Sequence, residues 1–123
     1  MMGVGFPATL LLHEFGSQVW AAFGHMPFHV GSSLEKKTGW RDVDVRLILT
    51  DEEYDSLGLG DPRYPQHNGK WVSLCRAYCG LGKAMTGLPI DFQIQRRTEA
   101  NLEFKGRRSS LGFIPLRIAK LTE

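Results

Sequence analysis

The segment 41–50 constrains the fold of this chain more than any other feature. In its first half charged and apolar residues alternate, so that Asp42 and Asp44 share one face while the valines beside them share the other. Its end, 47–49, is apolar on both faces, which is typical of a strand that is covered on both sides. The segment therefore predicts a strand inside a sheet that displays two carboxylates near its beginning.

Helical patterns occur at three further places in the chain. In 8–23 and 70–85 apolar residues recur every three or four positions, which predicts two amphipathic helices. Gly24 and Gly87 follow these segments and are expected to end the helices. The sequence of 50–53 has the form of a capping box and predicts the start of a short helix.

Two more strands and a mixed tail complete the predicted elements. The apolar run 27–30 predicts a short strand that leads into a glycine-serine turn, followed by a polar turn at 35–39. The alternation in 89–95 predicts a strand with one apolar and one polar face. Residues 98–103 predict a helical turn or two, and the tail from residue 105 is either a late strand or a strap over the core. The expected faces of the 89–95 strand are Ile90, Phe92 and Ile94 on one side and Asp91, Gln93 and Gln95 on the other.

This order of elements predicts a single domain, residues 1–123, of the α/β or α+β class, with a small mixed β-sheet and flanking helices. With 42% hydrophobic and 23% charged residues the composition is that of a folded protein, which argues against disorder. No segment approaches the roughly 20 apolar residues of a membrane span. Cys75 and Cys79 are expected to be small buried side chains, which suits a reducing compartment. Together with the lack of a membrane span, this leads us to expect a cytoplasmic protein without a membrane partner.

Three separate features of the sequence point to one chemistry. Asp42 and Asp44 lie side by side on one strand, and Asp91 comes from another strand with apolar neighbours. Three carboxylates that converge repel one another unless a cation is present, and magnesium prefers such oxygen ligands. Before them, Gly31 would let a phosphate approach the backbone, and the hydroxyl of Ser32 can bond a phosphate oxygen.

In this arrangement the chain resembles the DNA polymerase beta-like nucleotidyltransferase superfamily, over about residues 8–103. The resemblance implies a palm-like fold in which the first two acids bind two Mg²⁺ ions, with Mn²⁺ as a substitute. It implies that the third acid binds the ion that activates the nucleophile and helps to deprotonate it. It also implies contact between the triphosphate and the glycine-serine turn. The motifs that carry the resemblance are Val30-Gly31-Ser32, Asp42-Val43-Asp44-Val45 and Ile90-Asp91-Phe92.

The resemblance implies transfer of a nucleoside monophosphate from a nucleoside triphosphate to a hydroxyl group on a protein, a nucleic acid or a small molecule. The family usually carries extra helices or a second domain, and this sequence has almost nothing after the core. We therefore expect either that a partner protein or a second subunit completes the site or that the acceptor is bound weakly. An alternative is a catalytically silent nucleotide sensor or antitoxin-like binding partner. The residues assigned by this reasoning are Asp42, Asp44 and Asp91 for catalysis and metal binding, and Gly31, Ser32 and Ser33 for nucleotide binding.

Charged residues outside these motifs leave further interpretations open. The segment 96–108 holds five basic and two acidic residues, which suits either a phosphate-binding rim or an ordinary solvated surface. A small nucleic-acid-binding domain without metal would depend on this segment alone. Arg46 lies on the acidic face of its strand, where pairing with a carboxylate is favoured over contact with a phosphate. His25 and His29 are interpreted as structural, because Pro27 between them argues against a helical metal site.

Overall fold

The computed structural model describes residues 4–36 and 38–113 of the protein. Helices and strands alternate along this part of the chain, and a 3₁₀ turn at Pro65–His67 precedes the longest helix. The helices are α1 (Ala8–Phe23), α2 (Ser32–Glu35), α3 (Asp51–Ser56), α4 (Gly69–Thr86) and α5 (Arg97–Glu103). The strands are β1 (Phe28–Val30), β2 (Val43–Leu49), β3 (Ile90–Arg96) and β4 (Ser109–Ser110).

The four strands form one mixed sheet in the order β3-β2-β1-β4. Strands β2 and β3 are parallel, whereas β1 pairs antiparallel with both β2 and β4. The connection between the parallel strands contains α3 and α4, as a parallel pair requires a long crossover. The predicted fold class, α+β with a small mixed sheet and flanking helices, is confirmed.

One face of the sheet carries the hydrophobic core. The alternate positions of β2 and β3 bury their apolar side chains against α1 and α4, because period 2 places these residues on the same side. Phe92 lies at the centre, with its ring 6.1 Å from that of Phe15 in α1 and 5.2 Å from that of Tyr78 in α4. Burial of such aromatic rings is the main stabilising term for a domain of this size. The sheet residues of this face are Val43, Val45, Leu47, Leu49, Ile90, Phe92 and Ile94.

The opposite face of the sheet is polar, and we call it the open face. In β2 and β3, the residues that alternate with the core residues point to this face. Their side chains are half-buried, except for the buried Ile48. Helix α5 and the segment that follows it lie beside this face. The open face therefore holds polar side chains next to a wall of chain. Its members on the two strands are Asp44, Arg46, Ile48, Asp91, Gln93 and Gln95.

The capping box predicted before α3 is present. Glu53 donates its backbone N–H to the Thr50 hydroxyl at 3.1 Å, and its carboxylate accepts from the Thr50 N–H at 3.0 Å. His25 reaches the same carboxylate at 2.8 Å and links the end of α1 to α3. These contacts, led by the bond from the Thr50 side chain, lower the pKa of Glu53 to about 2. His25 therefore has the structural role that its sequence context indicated.

One segment differs from the sequence-based expectation, and another decides between two alternatives. Ser32–Glu35 forms a one-turn helix directly after Gly31, where the sequence predicted only turns. The tail contributes β4, and Leu111 after it is fully buried, so the late strand is confirmed. The rest of the predicted tail, from residue 114 onward, lies outside the described residues. No helix within the described ranges is long and apolar enough to cross a lipid bilayer.

The close approach of the tail to α1 predicts opposite effects for the same substitution at two glycines. A Cβ at Gly16 would lie 2.5 Å from the carbonyl carbon of Leu111, so Gly16→Ala should destabilise the fold by about 1–3 kcal/mol. A Cβ at Gly80 in α4 meets nothing within 4 Å, so Gly80→Ala should stabilise by about 0.5–1 kcal/mol. Urea unfolding of both variants measures this difference, and equal effects at the two positions would contradict the packing of the tail on α1.

Candidate metal centre

The structure brings the three predicted carboxylates to one place. Asp44 and Asp91 are direct neighbours across the parallel pair β2 and β3, and both side chains lie on the open face. Asp42 is exposed and lies just before β2, two residues before Asp44. One carboxylate oxygen of each residue lies within 4.8 Å of the other two. The strand register therefore creates the acidic cluster that the alternating pattern indicated.

Gly31 is required beside this cluster for two independent reasons. Its φ angle of +80° is in the left-handed region, which side chains disfavour. A Cβ at this position would also overlap Oδ2 of Asp44 and lie 3.3 Å from its Cγ. The overlap arises because Val30 and Asp44 are partners in the antiparallel pair β1 and β2. The absent side chain thus leaves room for the Asp44 carboxylate above the turn.

The two serines after Gly31 have different environments. Ser32 is exposed at the first position of α2, where its hydroxyl is accessible to a ligand. Ser33 is fully buried, and its hydroxyl lies 2.7 Å from Nε2 of His29. Burial, with a contribution from His13, lowers the pKa of His29 to about 4, so this imidazole is neutral at neutral pH. The Ser33 hydroxyl is therefore buried and paired with His29, whereas that of Ser32 is exposed. Direct contact of Ser33 with a nucleotide stays a prediction.

Arg46 joins the acidic cluster to the backbone of β3. Its Nη1 donates to the carbonyl oxygen of Asp91 at 2.6 Å. Its Nη2 lies 3.4 Å from Oδ2 of Asp91 and 3.8 Å from Oδ1 of Asp44. The Arg46 side chain is only 15% exposed, so this guanidinium is a fixed part of the site. Pairing of Arg46 with carboxylates, which was favoured over phosphate contact, is confirmed.

The described residues around the cluster do not balance its charges. Burial raises the pKa of Asp44, Arg46 opposes this shift, and the carboxylates of Asp91 and Asp42 add to it. If all three carboxylates are ionised, they carry two more charges than the guanidinium of Arg46, the one cation paired with them among the described residues, can offset. An additional cation would remove this repulsion. The excess of negative charge thus equals the charge of one divalent ion.

The spacing of the carboxylates also suits a hard divalent cation. Magnesium binds oxygen ligands at about 2.0–2.1 Å in an octahedron, so opposite ligands on one ion are about 4.2 Å apart. Neighbouring ligands in the same octahedron are about 2.9 Å apart. The three carboxylate oxygens lie within 4.8 Å of one another, so their side chains would have to move closer together around an ion. The donor set contains oxygen atoms alone, which magnesium and manganese prefer over softer ligands. Asp42, Asp44 and Asp91 therefore fit the proposed metal.

A cleft of about 240 Å³ extends from the cluster over the open face, and we call it the Phe104 cleft. Within the described part of the chain, the side-chain amides of Gln93 and Gln95 form no hydrogen bond. The alternation of β3 had placed both amides on the face of Asp91, and the basic segment 96–108 included Arg108, but no pattern in the sequence pointed to Phe104. The cleft is lined by Val30, Gly31, Asp44, Arg46, Ile48, Gln93, Gln95, Glu103, Phe104 and Arg108.

The two cysteines lie in the core face and not in this site. Cys75 is buried, and burial raises the pKa of its thiol to about 11. The Sγ of Cys79 accepts the backbone N–H of Phe92 at 3.1 Å. Both are free thiols. They therefore pack as small side chains, as the sequence indicated.

Comparisons with protein-family profiles, with characterised proteins and with solved structures found no match to this chain. The site is therefore argued from its own geometry.

The raised pKa of Asp44 predicts that this carboxylate destabilises the folded protein in the absence of metal. Asp44→Asn should raise the melting temperature at pH 7 in chelator, because the neutral amide avoids burial and repulsion of a charge. The gain in melting temperature should shrink as the pH falls through the raised pKa of Asp44, because the wild-type carboxyl then also becomes neutral in the folded protein. Differential scanning calorimetry at several pH values measures this difference.

Asp61 is a suitable control for this substitution. Hydrogen bonds from Arg63 lower the pKa of Asp61 to about 2, so Asp61→Asn should give no gain in melting temperature. A lower melting temperature for Asp44→Asn at pH 7 would mean that the carboxylate is stabilised by the fold, which contradicts the description of the cluster.

Proposed function

We propose that this protein is a metal-dependent nucleotidyltransferase, which moves a nucleoside monophosphate from a nucleoside triphosphate to a hydroxyl acceptor. The observation that carries the proposal is the meeting of Asp42, Asp44 and Asp91 beside the glycine turn, with their carboxylate oxygens within 4.8 Å. A module with a purely structural role gains nothing from converging like charges, which destabilise the fold. The motifs that resemble the nucleotidyltransferase superfamily support the same reaction.

The proposed metal is magnesium, as two ions with manganese as a substitute, held by the same three carboxylates. When bound, such ions supply positive charge that stabilises the phosphates and lowers the pKa of a bound hydroxyl group. The residues of the chain fix where this chemistry takes place. Arg46 holds Asp91 through its carbonyl oxygen, and Gly31 leaves space above the turn for Asp44.

In the proposed reaction the acceptor oxygen forms a bond to the α-phosphorus of the triphosphate. The bond between this phosphorus and the bridging oxygen breaks, and pyrophosphate leaves. The Asp91 carboxylate accepts the proton of the acceptor hydroxyl, and its side chain is 39% exposed, against 26% for Asp44. The exposed hydroxyl of Ser32 and the backbone at Gly31 contact the triphosphate.

One observation favours the second candidate, a catalytically silent sensor or binding partner of the same fold. Arg46 already neutralises part of the charge on Asp91 and Asp44, as a site that functions without metal would require. The two candidates differ in whether pyrophosphate is released. In either case the two free cysteines suit a reducing compartment, so the cytoplasm remains the proposed location.

The proposal predicts nucleotide binding that depends on both the metal and the carboxylates. Calorimetry should detect binding of a nucleoside triphosphate in Mg²⁺ and not in chelator. Asp42→Ala should weaken this binding at least tenfold, because it removes one ligand of the metal. Asp42 is exposed and precedes β2, so the variant should fold normally.

Asp61→Ala is the matched control: within the described ranges the Asp61 side chain is paired only with Arg63, in the loop after α3, and the substitution should not affect binding. Metal-independent binding, or equal losses in the two variants, would rule out the metal centre. Release of pyrophosphate with transfer of label to an acceptor then distinguishes the enzyme from the silent alternative.

A further inference from the structure

Two buried polar side chains meet next to the glycine-serine turn, and we call them the His29–Ser33 pair. Both residues are fully buried, and Nε2 of His29 lies 2.7 Å from the Ser33 hydroxyl oxygen. In the chain, the two residues stand on either side of Gly31 and Ser32. The contact therefore closes a short loop of backbone, and the middle of this loop is the turn that we assign to the triphosphate.

The pairing of β1 places the imidazole away from the acidic cluster. His29 is the partner of Val45 across β1 and β2, whereas the next residue, Val30, is the partner of Asp44. Partners across two paired strands share a face, and successive residues of one strand alternate between faces. His29 thus lies on the core face with Val45, on the opposite side of the sheet from a ligand of the carboxylates.

The imidazole of His29 is a costly group to bury at this position. Its Nδ1 is buried without a hydrogen-bond partner among the described residues. An unpaired buried polar atom destabilises the folded state, and an apolar side chain of similar size would avoid this cost. Within the same residues, Ser33 is the one hydrogen-bond partner of the ring. What the imidazole adds over an apolar side chain is therefore its contact with Ser33.

Helix α2 needs contacts of this kind because it is too short to be stable by itself. It has four residues, and a single helical turn fixes many backbone angles for few hydrogen bonds. The N–H of Leu34 donates to the carbonyl oxygen of Gly31 at 3.2 Å. The buried side chain of Leu34 anchors the end of α2, and the His29–Ser33 pair anchors its beginning.

The turn between β1 and α2 depends on these anchors for its conformation. Gly31 has a φ of +80°, and Ser32 after it is exposed. Glycine has the widest choice of backbone conformations, so the direction of the turn must be fixed by the residues on either side of it. The His29–Ser33 pair joins these two sides directly. Its loss would allow the turn to sample other conformations.

We propose that the His29–Ser33 pair positions the glycine-serine turn for the triphosphate, with His29 as a positioning residue that acts through Ser33. This inference rests on the proposed function and adds to it a support on the core face of the sheet. Without the pair, the turn has to become ordered when the nucleotide binds, and this ordering weakens the binding. Direct contact of the Ser33 hydroxyl with the nucleotide is the alternative, and the experiment separates the two.

The first comparison uses two amides in place of the imidazole. Glutamine carries its polar atoms at the ε position, like Nε2, whereas asparagine carries them at the δ position, like the unpaired Nδ1. The full chain is titrated by calorimetry in Mg²⁺ with each of the common ribonucleoside triphosphates. His29→Gln should bind within twofold of the wild type, and His29→Asn should bind at least fivefold more weakly. Equal affinities for the two variants, or the opposite order, would overturn the proposal.

The second comparison removes the hydroxyl. Ser33→Ala should weaken triphosphate binding at least fivefold. The matched control is Ser17→Ala, which removes a hydroxyl that accepts the N–H of Phe113 on α1, and it should bind like the wild type. In a protein that already carries His29→Asn, Ser33→Ala should cause no further loss, because the contact is already absent. Additive losses would mean that Ser33 contacts the nucleotide independently of His29, which would overturn the proposal.

A double variant separates positioning of the turn from stabilisation of the fold. His29→Leu combined with Ser33→Ala removes both buried polar groups, so its melting temperature should exceed that of Ser33→Ala, which leaves the imidazole unpaired. Its triphosphate affinity should still be at least fivefold below that of the wild type, because the turn has lost its anchor. Recovery of the affinity together with the melting temperature would overturn the proposal.

The two proposals can fail separately. A wild-type protein that binds no triphosphate in Mg²⁺ would refute the proposed function, and amide hydrogen exchange then tests the anchor without a nucleotide. The N–H groups of Leu34 and Lys36, which donate to the carbonyl oxygens of Gly31 and Ser32, should exchange at least fivefold faster in Ser33→Ala. Unchanged exchange of these amides would refute the anchor, whatever the protein binds.

Discussion

The pairing of Asp44 with Asp91 across the parallel strands β2 and β3 is the constraint on which the rest of the site depends. Parallel register places the two carboxylates side by side, and the alternation of each strand turns them to the same face. A shift of one residue in this register would turn one strand's apolar positions to the open face. The hydrophobic core therefore fixes the register, and the register in turn fixes the acidic cluster.

The cluster is maintained against its own repulsion. On the core face, Val43, Val45 and Phe92 are almost completely buried and anchor the strands from behind. On the open face, Arg46 bonds the carbonyl oxygen of Asp91 and approaches both carboxylates. One guanidinium offsets only part of the charge, and Asp44 keeps a raised pKa, chiefly because it is buried. The fold thus holds a preorganised negative site whose remaining charge favours a divalent cation.

Much of this arrangement could be predicted from the sequence, because period 2 assigns side chains to faces without knowledge of the partner strand. The faces of β2 and β3, the capping box at Thr50 and the ends of α1 and α4 follow from local patterns of this kind. The parallel register could not be read from either strand alone, since it depends on packing between distant segments. Convergence of the carboxylates was expected from the alternation of the two strands and from the resemblance, and the pairing of the strands establishes it.

The features that the sequence did not reveal are tertiary contacts. Burial of Ser33 against His29 depends on α2, a single helical turn that is too short for a periodic pattern. The Phe104 cleft exists because the chain after α5 returns along the open face. No local sequence pattern indicates that Phe104 lies against the strands there. Gly31 is a partial exception: a glycine before serine suggested a turn, whereas the space needed by Asp44 became evident only from the pairing of β1 with β2.

The most direct test of the central claim is a crystal structure with Mn²⁺ and a non-hydrolysable nucleoside triphosphate, with the metal located by its anomalous scattering. The account predicts an anomalous peak between Asp42, Asp44 and Asp91, with an oxygen of each carboxylate within coordination distance and the triphosphate beside Gly31. A peak that is held by the phosphates alone, with the Asp91 carboxylate still directed at Arg46, would contradict it.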